Sequence, residues 1–373
     1  MMKRLFHILI WVSGLFLTTL PLSAAAETTP GEQAEEFNVK EMILEHLADA
    51  YEWKIVNWDN GDITVPLPVI LHSKTSGWHL FLSSKLHNNE GSYNGFYIAP
   101  EGKYKGKIVE KDTSGTEVRP LDLSLTKNAA SLIFSSVLLI IIIMGVARSM
   151  KRNPMEAKKG FIGFMEMFIV SINDEVIKPA VGKDHARYAP YLLTVFFFIF
   201  LNNVLGLIPF FPGGANVTGN IAVTMILAIT TMLVINLTGT KEYYKEIFWP
   251  DVPKWLKVPV PLMPAIELVG VFTKPFALMI RLFANITGGH STVIGLTSIV
   301  FVTAGMGAAI NSSMSLLSVI FTVFILFVEL LVAYIQAYVF TMLSAVFIGM
   351  ARVESHQKEK ELIETKHINK QIN

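Results

Sequence analysis

The 373-residue sequence contains no cysteine. Disulfides, thiolate metal sites and cysteine nucleophiles are therefore excluded together, even for any part of the chain that is exported. Charge is also scarce: 16% of residues are Asp, Glu, Lys or Arg, where soluble proteins carry roughly 25%. With 52% apolar residues and a mean hydropathy of +0.47, one ordinary water-soluble globule does not fit. Intrinsic disorder is excluded too, because it needs low apolar content and high net charge. The net charge is only +1, so no basic surplus suggests nucleic acid as a partner. No Gly-x-x-x-x-Gly-Lys-Ser/Thr loop is present to hold a nucleotide phosphate.

The small net charge hides an asymmetry. Residues 27–127 carry 10 Lys/Arg against 16 Asp/Glu, whereas residues 128–373 carry 19 against 14. An acidic segment followed by a basic, very apolar one implies two compartments. The chain opens with Lys3 and Arg4, an apolar run from Leu5 to Leu20, Pro21 and the small residues Ala24-Ala25-Ala26. This is the pattern of an export signal over residues 1–26, too short for a comfortable span of the bilayer. An exported domain is expected over residues 27–127, a small α+β module. Helical spacing runs from Glu41 to Trp53, with Met42, Leu44, Leu47, Ala48 and Tyr51 on one face, followed by short β-like runs. His46, His72, His79 and His87 have no metal-ligand spacing, so neither a metal nor a cofactor is expected there.

Five membrane spans follow. Asn128–Ala147 is uncharged and long enough for one. The uncharged stretch Tyr188–Thr240 is too long for one span, and Pro209, Pro212, Gly213 and Gly214 split it into helices near 191–208 and 216–238. The amphipathic stretch 155–178 is expected at the interface. From Val258 to Ala351 only Glu267, Lys274, Arg281, His290 and Glu329 ionise, and Gly305, Gly307, Asn311, Ser312 and Ser313 mark a turn. Helices near 264–305 and 314–352 would each measure about 60 Å, twice the hydrocarbon thickness, and so must tilt steeply, kink or run partly along the membrane. Lys and Arg gather after spans one, three and five and are missing from 209–216 and 305–315. The positive-inside rule then places the exported domain outside and the tail, 353–373, in the cytoplasm. The expected fold is an all-α polytopic membrane domain over 128–352 with five transmembrane helices, including a long C-terminal helical hairpin.

Ionisable residues within a membrane are costly and mark function. Glu267, Lys274 and Arg281 recur at intervals of seven and share one helix face, which Asn285 continues one turn later. His290 points to the opposite side, while Glu329 and Gln336 share a face on the partner helix. About a turn centred near residue 310, His290 comes level with Glu329 and Asn285 with Gln336. Lys274 can also be read as snorkelling to the interface, with Glu267 as its salt-bridge partner. Titratable groups at different depths, separated by a permanent cation, describe a proton path with a barrier in it.

At these residues the chain resembles subunit a of F-type ATP synthase. The resemblance rests on Lys274-Pro275, Arg281-Leu282-Phe283-Ala284-Asn285 and Gln336-Ala337-Tyr338-Val339-Phe340. It also includes Asn203-Val204-Leu205-Gly206-Leu207-Ile208-Pro209 and Asn216-Val217-Thr218, and covers about residues 128–356. Some members carry the residues matching His290 and Glu329 in the opposite order, and others have Asp where Gly206 stands. The resemblance implies a stator in the inner, cytoplasmic membrane that offers a ring of c subunits two half-channels. It implies an inlet at His290 and Glu329, a central Arg281 flanked by Asn285 and Gln336, and an outlet at Glu267. Lys274 and Asn203 are further candidates; peripheral-stalk b subunits and membrane lipid are the other implied partners. Nucleotide chemistry would belong to other subunits. A secondary transporter is the alternative, but one asymmetric charged hairpin does not fit internal repeats with matched broken helices. A merely anchored exported module would need no buried charges at all.

Overall fold

The computed structural model describes residues 39–40, 43, 48–56, 63–88, 91–112, 115–152, 158–208, 213–249 and 262–352. The export signal expected over residues 1–26, most of the helical face predicted over Glu41–Trp53, Pro209, Pro212 and the tail lie outside these residues.

The helix predicted as far as Trp53 ends sooner, because Glu52 opens strand β1 (Glu52–Val56). β1 pairs antiparallel with β2 (Ile63–Pro66), Trp53 facing Val65. β3 (Pro68–Ser73) and β4 (Gly77–Leu82) form a hairpin, turned at Gly77 with φ +81°. The Ser73 hydroxyl accepts from the amides of Thr75 and Ser76 at 3.0 and 3.3 Å and so holds that turn. After a short helix α1 (Ser84–Asn88) come β5 (Ser92–Tyr93), β6 (Phe96–Ile98), β7 (Ile108–Lys111), β8 (Glu117–Val118) and β9 (Leu121–Asp122). Sheet order is β4-β3-β9 in one sheet and β5-β6-β7-β8 in another. Alternation along β3 turns Val69 and Leu71 inward, where they pack with Tyr51, Phe81, Leu86, Phe96 and Ile108.

Helix α2 (Lys127–Arg152) starts immediately after this domain. Its first amides are bound by the domain itself: Lys127 donates to the Ala50 carbonyl at 2.8 Å and Asn128 to the Asp49 carboxylate at 3.1 Å. A carboxylate there satisfies an otherwise orphaned donor and complements the helix dipole. α3 (Gly160–Ser171) runs through a wide π-helical turn, Ile172–Ile177, into α4 (Lys178–Val181), so the predicted amphipathic stretch is helical from Gly160 onward. Gly182, at φ +73°, breaks the path before α5 (His185–Gly206). α6 (Ile221–Thr238) is capped by Asn220 and α7 (Lys241–Phe248) by Thr240, each side chain accepting from an amide in the first turn. α8 (Leu262–Val302) and α9 (Ala308–Ala351) complete the chain. Five helices are long and apolar enough to cross a membrane, and the protein is a multi-pass membrane protein.

Two units are distinguished by their internal contacts. The larger, Leu47–Gly289 with Leu330–Asn373, holds an apolar core in which Phe196, Ile199 and Leu192 of α5 meet Leu278 and Leu282 of α8 and Phe340 of α9. The Phe196–Phe198 run is thus packing surface. Three backbone ends in this unit are tied by Arg352, whose Nε donates to Asp184 at 2.8 Å and whose Nη1 donates to the Thr238 carbonyl at 3.1 Å. The second unit includes the tip of the helical hairpin, His290–Glu329. Its turn is tighter than predicted. Gly307, at φ +100°, makes the reversal, and Asn311, Ser312 and Ser313 are already helical. Asn311 instead accepts from the Thr303 hydroxyl at 2.9 Å, holding the turn closed from inside the helix.

Candidate membrane site on the C-terminal hairpin

The apolar periodicity of α8 leaves one face uncovered, and Arg281 stands on it. Ala277, Ala284 and Gly288, all exposed, recur on the same side of the helix, while Phe276 and Ile280 are 59% and 39% exposed. Leu278 and Leu282, on the opposite side, are buried in the core. A guanidinium thus projects from a stripe of small residues, on an apolar surface that nothing else in this unit covers.

One turn further, Asn285 Nδ2 donates to Gln336 Oε1 at 2.8 Å. These two amides were predicted to come level, and they meet. Gln336 is buried on α9 between Ala333 and Ala337, so α9 presents its acceptor in a fixed place beside the Arg281 turn. At the hairpin tip the second level pair was expected, His290 with Glu329. Glu329 is buried, and neither of its oxygens has a hydrogen-bond partner among the described residues. A direct His290–Glu329 bond is therefore not formed, although His290 does have an interaction of its own.

Glu267 and Lys274 do not pair with each other among the described residues. Lys274 Nζ instead lies 5.7 Å from the centre of the Phe347 ring, a cation–π distance. It lines a small cavity with Asn236, Tyr243, Pro275, Phe347 and Met350. Tyr243, on the short helix α7, has its phenol pushed above the usual range, chiefly by burial and then by Tyr244 and the charge of Glu267. Glu267 therefore acts on the same region as Lys274 without bonding to it.

Asn203 is buried in α5, accepting from the Thr218 hydroxyl at 2.6 Å and donating to the Ala333 carbonyl at 3.3 Å. Next to it Asn202 accepts from the Ser135 hydroxyl at 2.9 Å. Sequence reasoning singled out Asn203, and named Thr218 only within the Asn216-Val217-Thr218 segment, but passed over Ser135 and Asn202. The usable signal was the Asn202-Asn203 pair in an otherwise apolar helix, since buried amides demand partners.

A family model described as ATP synthase A chain matches residues 130–349. The chain is also 38% identical over 258 residues to ATP synthase subunit a 2 of Chlorobaculum tepidum, covering 66% of this chain and 69% of that one. This chain belongs to the ATP synthase A chain family. Similarity extends to ATP synthase subunit a of Chlorobium phaeobacteroides, 39% identical over 247 residues (64% and 68% of the two chains), and to that of Myxococcus xanthus, 38% over 247 residues (64% and 76%). A second family model, a domain of unknown function, matches residues 42–127. Family membership makes the protein a proton-translocating subunit of the membrane sector of ATP synthase. It moves ions and is not the nucleotide-hydrolysing subunit.

Proposed function

We propose that the protein is the stator that offers the ring of c subunits two offset half-channels, with Arg281 as the barrier between them. The observation that carries this reading is the exposed guanidinium on an uncovered apolar face of α8. A charge in that setting is costly unless a partner carboxylate comes to meet it. Small residues on either side leave room for a closely approaching helix. A guanidinium stays charged at every physiological pH and cannot itself relay the proton. Facing the ring, it favours the ionised form of an approaching carboxylate and so promotes release of the bound proton. Once reprotonated from the other channel, the neutral carboxylate turns away through lipid.

His290 and Glu329 serve the inlet in this reading, and Glu267, with Lys274 beside it, serves the outlet. Asn285 and Gln336 hold the surface next to Arg281 in register, and Asn203 steadies the outer half of the helix bundle. Residues 1–26 act as the export signal, 27–127 lie in the periplasm, 128–352 form the membrane domain, and 353–373 lie in the cytoplasm. The ring, the peripheral-stalk b subunits and lipid are the partners. Arg281→Ala is expected to abolish proton-driven ATP synthesis while the complex still assembles, and Arg281→Lys to fail as well. Synthesis rate and passive proton flux in vesicles containing the assembled complex provide the test. Normal coupled synthesis by the Ala variant would overturn the mechanism.

A further inference from the structure

The sheet β4-β3-β9 has a second face that the exported domain leaves open. Register places its residues in three rows. His72 lies between Trp78 and Leu121; Ile70 pairs with Leu80 on one side and receives the Leu123 amide on the other; Pro68 pairs with Leu82 and receives the Leu125 amide. Eight of these nine residues are apolar and none carries a fixed charge. Trp78 is 63% exposed, Leu80 75%, Leu121 58% and Leu123 56%. A contiguous apolar surface of this kind on a folded domain marks a binding face. Alternation has already spent the inward positions Val69, Leu71 and Phe81 on the domain's own core.

We propose that this face rests on the lipid surface of the leaflet in which α2 begins. The argument is continuity with the membrane itself. The Leu123 and Leu125 amides bond along β3 at 3.0 and 3.1 Å, so the strand geometry of β9 persists to two residues before α2. From Leu125 to Asn128, where the uncharged run begins, the chain spans at most about 11 Å. The headgroup layer outside the hydrocarbon core is itself about 5–7 Å deep on each side. A domain meant to stand clear of the headgroups needs a spacer, and none is present. A second tether acts at the same end of the bundle. Trp53 Nε1 donates to the Gly213 carbonyl at 3.0 Å, and its ring packs with Ala215, Val217 and the first turns of α2. Held down at both points, the sheet can turn only a face or an edge to the lipid. The uncharged face with its tryptophan has the composition that interfacial surfaces favour.

The chain has no cysteine, so a nitroxide can be attached singly at Leu80→Cys or Leu123→Cys, with Lys103→Cys as a water-exposed reference. The assembled complex, its other subunits freed of cysteine, is placed in phosphatidylethanolamine and phosphatidylglycerol vesicles. Power-saturation resonance then compares collisions with oxygen, which concentrates in lipid, and with a water-soluble nickel chelate. The ratio at positions 80 and 123 is expected to favour oxygen and to invert relative to position 103. Nickel-dominated collisions would show a water-facing sheet, and low collisions with both reagents would show a protein partner; either result overturns the proposal. A check on the unsubstituted complex uses vesicles containing a diazirine-bearing phospholipid. Lipid adducts on the peptides carrying Trp78–Leu82 and Leu121–Leu123 support the proposal, and their absence contradicts it.

Discussion

Gln336 brings an acceptor into a buried position on α9, and its partner Asn285 brings the donor from another helix. Replacing Asn285 with Leu leaves that acceptor without its bond, at a cost of about 1–2 kcal/mol. Replacing both with Leu should recover part of the loss, because no polar group is then stranded. Thermal stability of the purified complex, measured for the two single variants and the double, is expected to show a coupling of about 0.5–1.5 kcal/mol. Tyr51 makes a different prediction, in the N-terminal sheet domain. Burial above all, then the hydrogen bond to Asp122 and that residue's charge, push its phenol well above the usual 10.0. The folded pKa is raised, so the contribution to stability is full below about pH 10 and is lost as pH rises towards the folded value. Alkaline titration of tyrosinate absorbance, compared with the Tyr51→Phe variant, should show the Tyr51 phenol ionising only as the domain opens. Tyr51→Phe should abolish that late step and lower stability at neutral pH by about 0.5–1.5 kcal/mol.

Among the elements, α9 owes its position to a glycine. A Cβ on Gly349 would lie 2.0 Å from the Ala180 carbonyl oxygen, so the two backbones meet with no side chain between them. Gly349→Ala must push α9 off α4, at a cost of about 1–3 kcal/mol. Gly145→Ala, which meets nothing within 4 Å, is the control and should leave the complex unchanged. The temperature at which the detergent-solubilised complex falls apart compares the two. The long hairpin was legible in the sequence because its few ionisable residues recur at helical intervals in an apolar run. Its turn was read too wide: Asn311, Ser312 and Ser313 are turn formers in water, yet here they continue the helix once Gly307 has reversed the chain. The sheet order β4-β3-β9 was not legible. β9 is two residues long, and it reaches β3 only after five intervening strands. The sequence of β4, Gly-Trp-His-Leu-Phe-Leu, is apolar on both faces, so its pattern could not say which face would be left open. The buried set around Asn203 was half visible, since partners such as Thr218 are assigned only by packing.

At the scale of the whole molecule, the two attachments of the N-terminal sheet domain have a mechanical meaning. It is bonded to the start of α2 through Asp49 and Ala50, and to the loop between α5 and α6 through Trp53. Trp53→Ala should release the second attachment alone. In the assembled complex, limited proteolysis of the 213–220 loop is expected to accelerate roughly 30-fold, as about 2 kcal/mol of local opening free energy is removed. Trp53→Phe, which keeps the ring but not the donor, should fall between the two. A body pinned at one point can swivel about it in every direction, whereas one pinned at two points can turn only about the line that joins them. A rotating ring pushes back on whatever holds still beside it, and that reaction torque must be borne by something braced. With both pins in place, the sheet domain bridges the start of α2 and the loop that joins α5 to α6, so that the ends of three membrane helices are linked through one folded body.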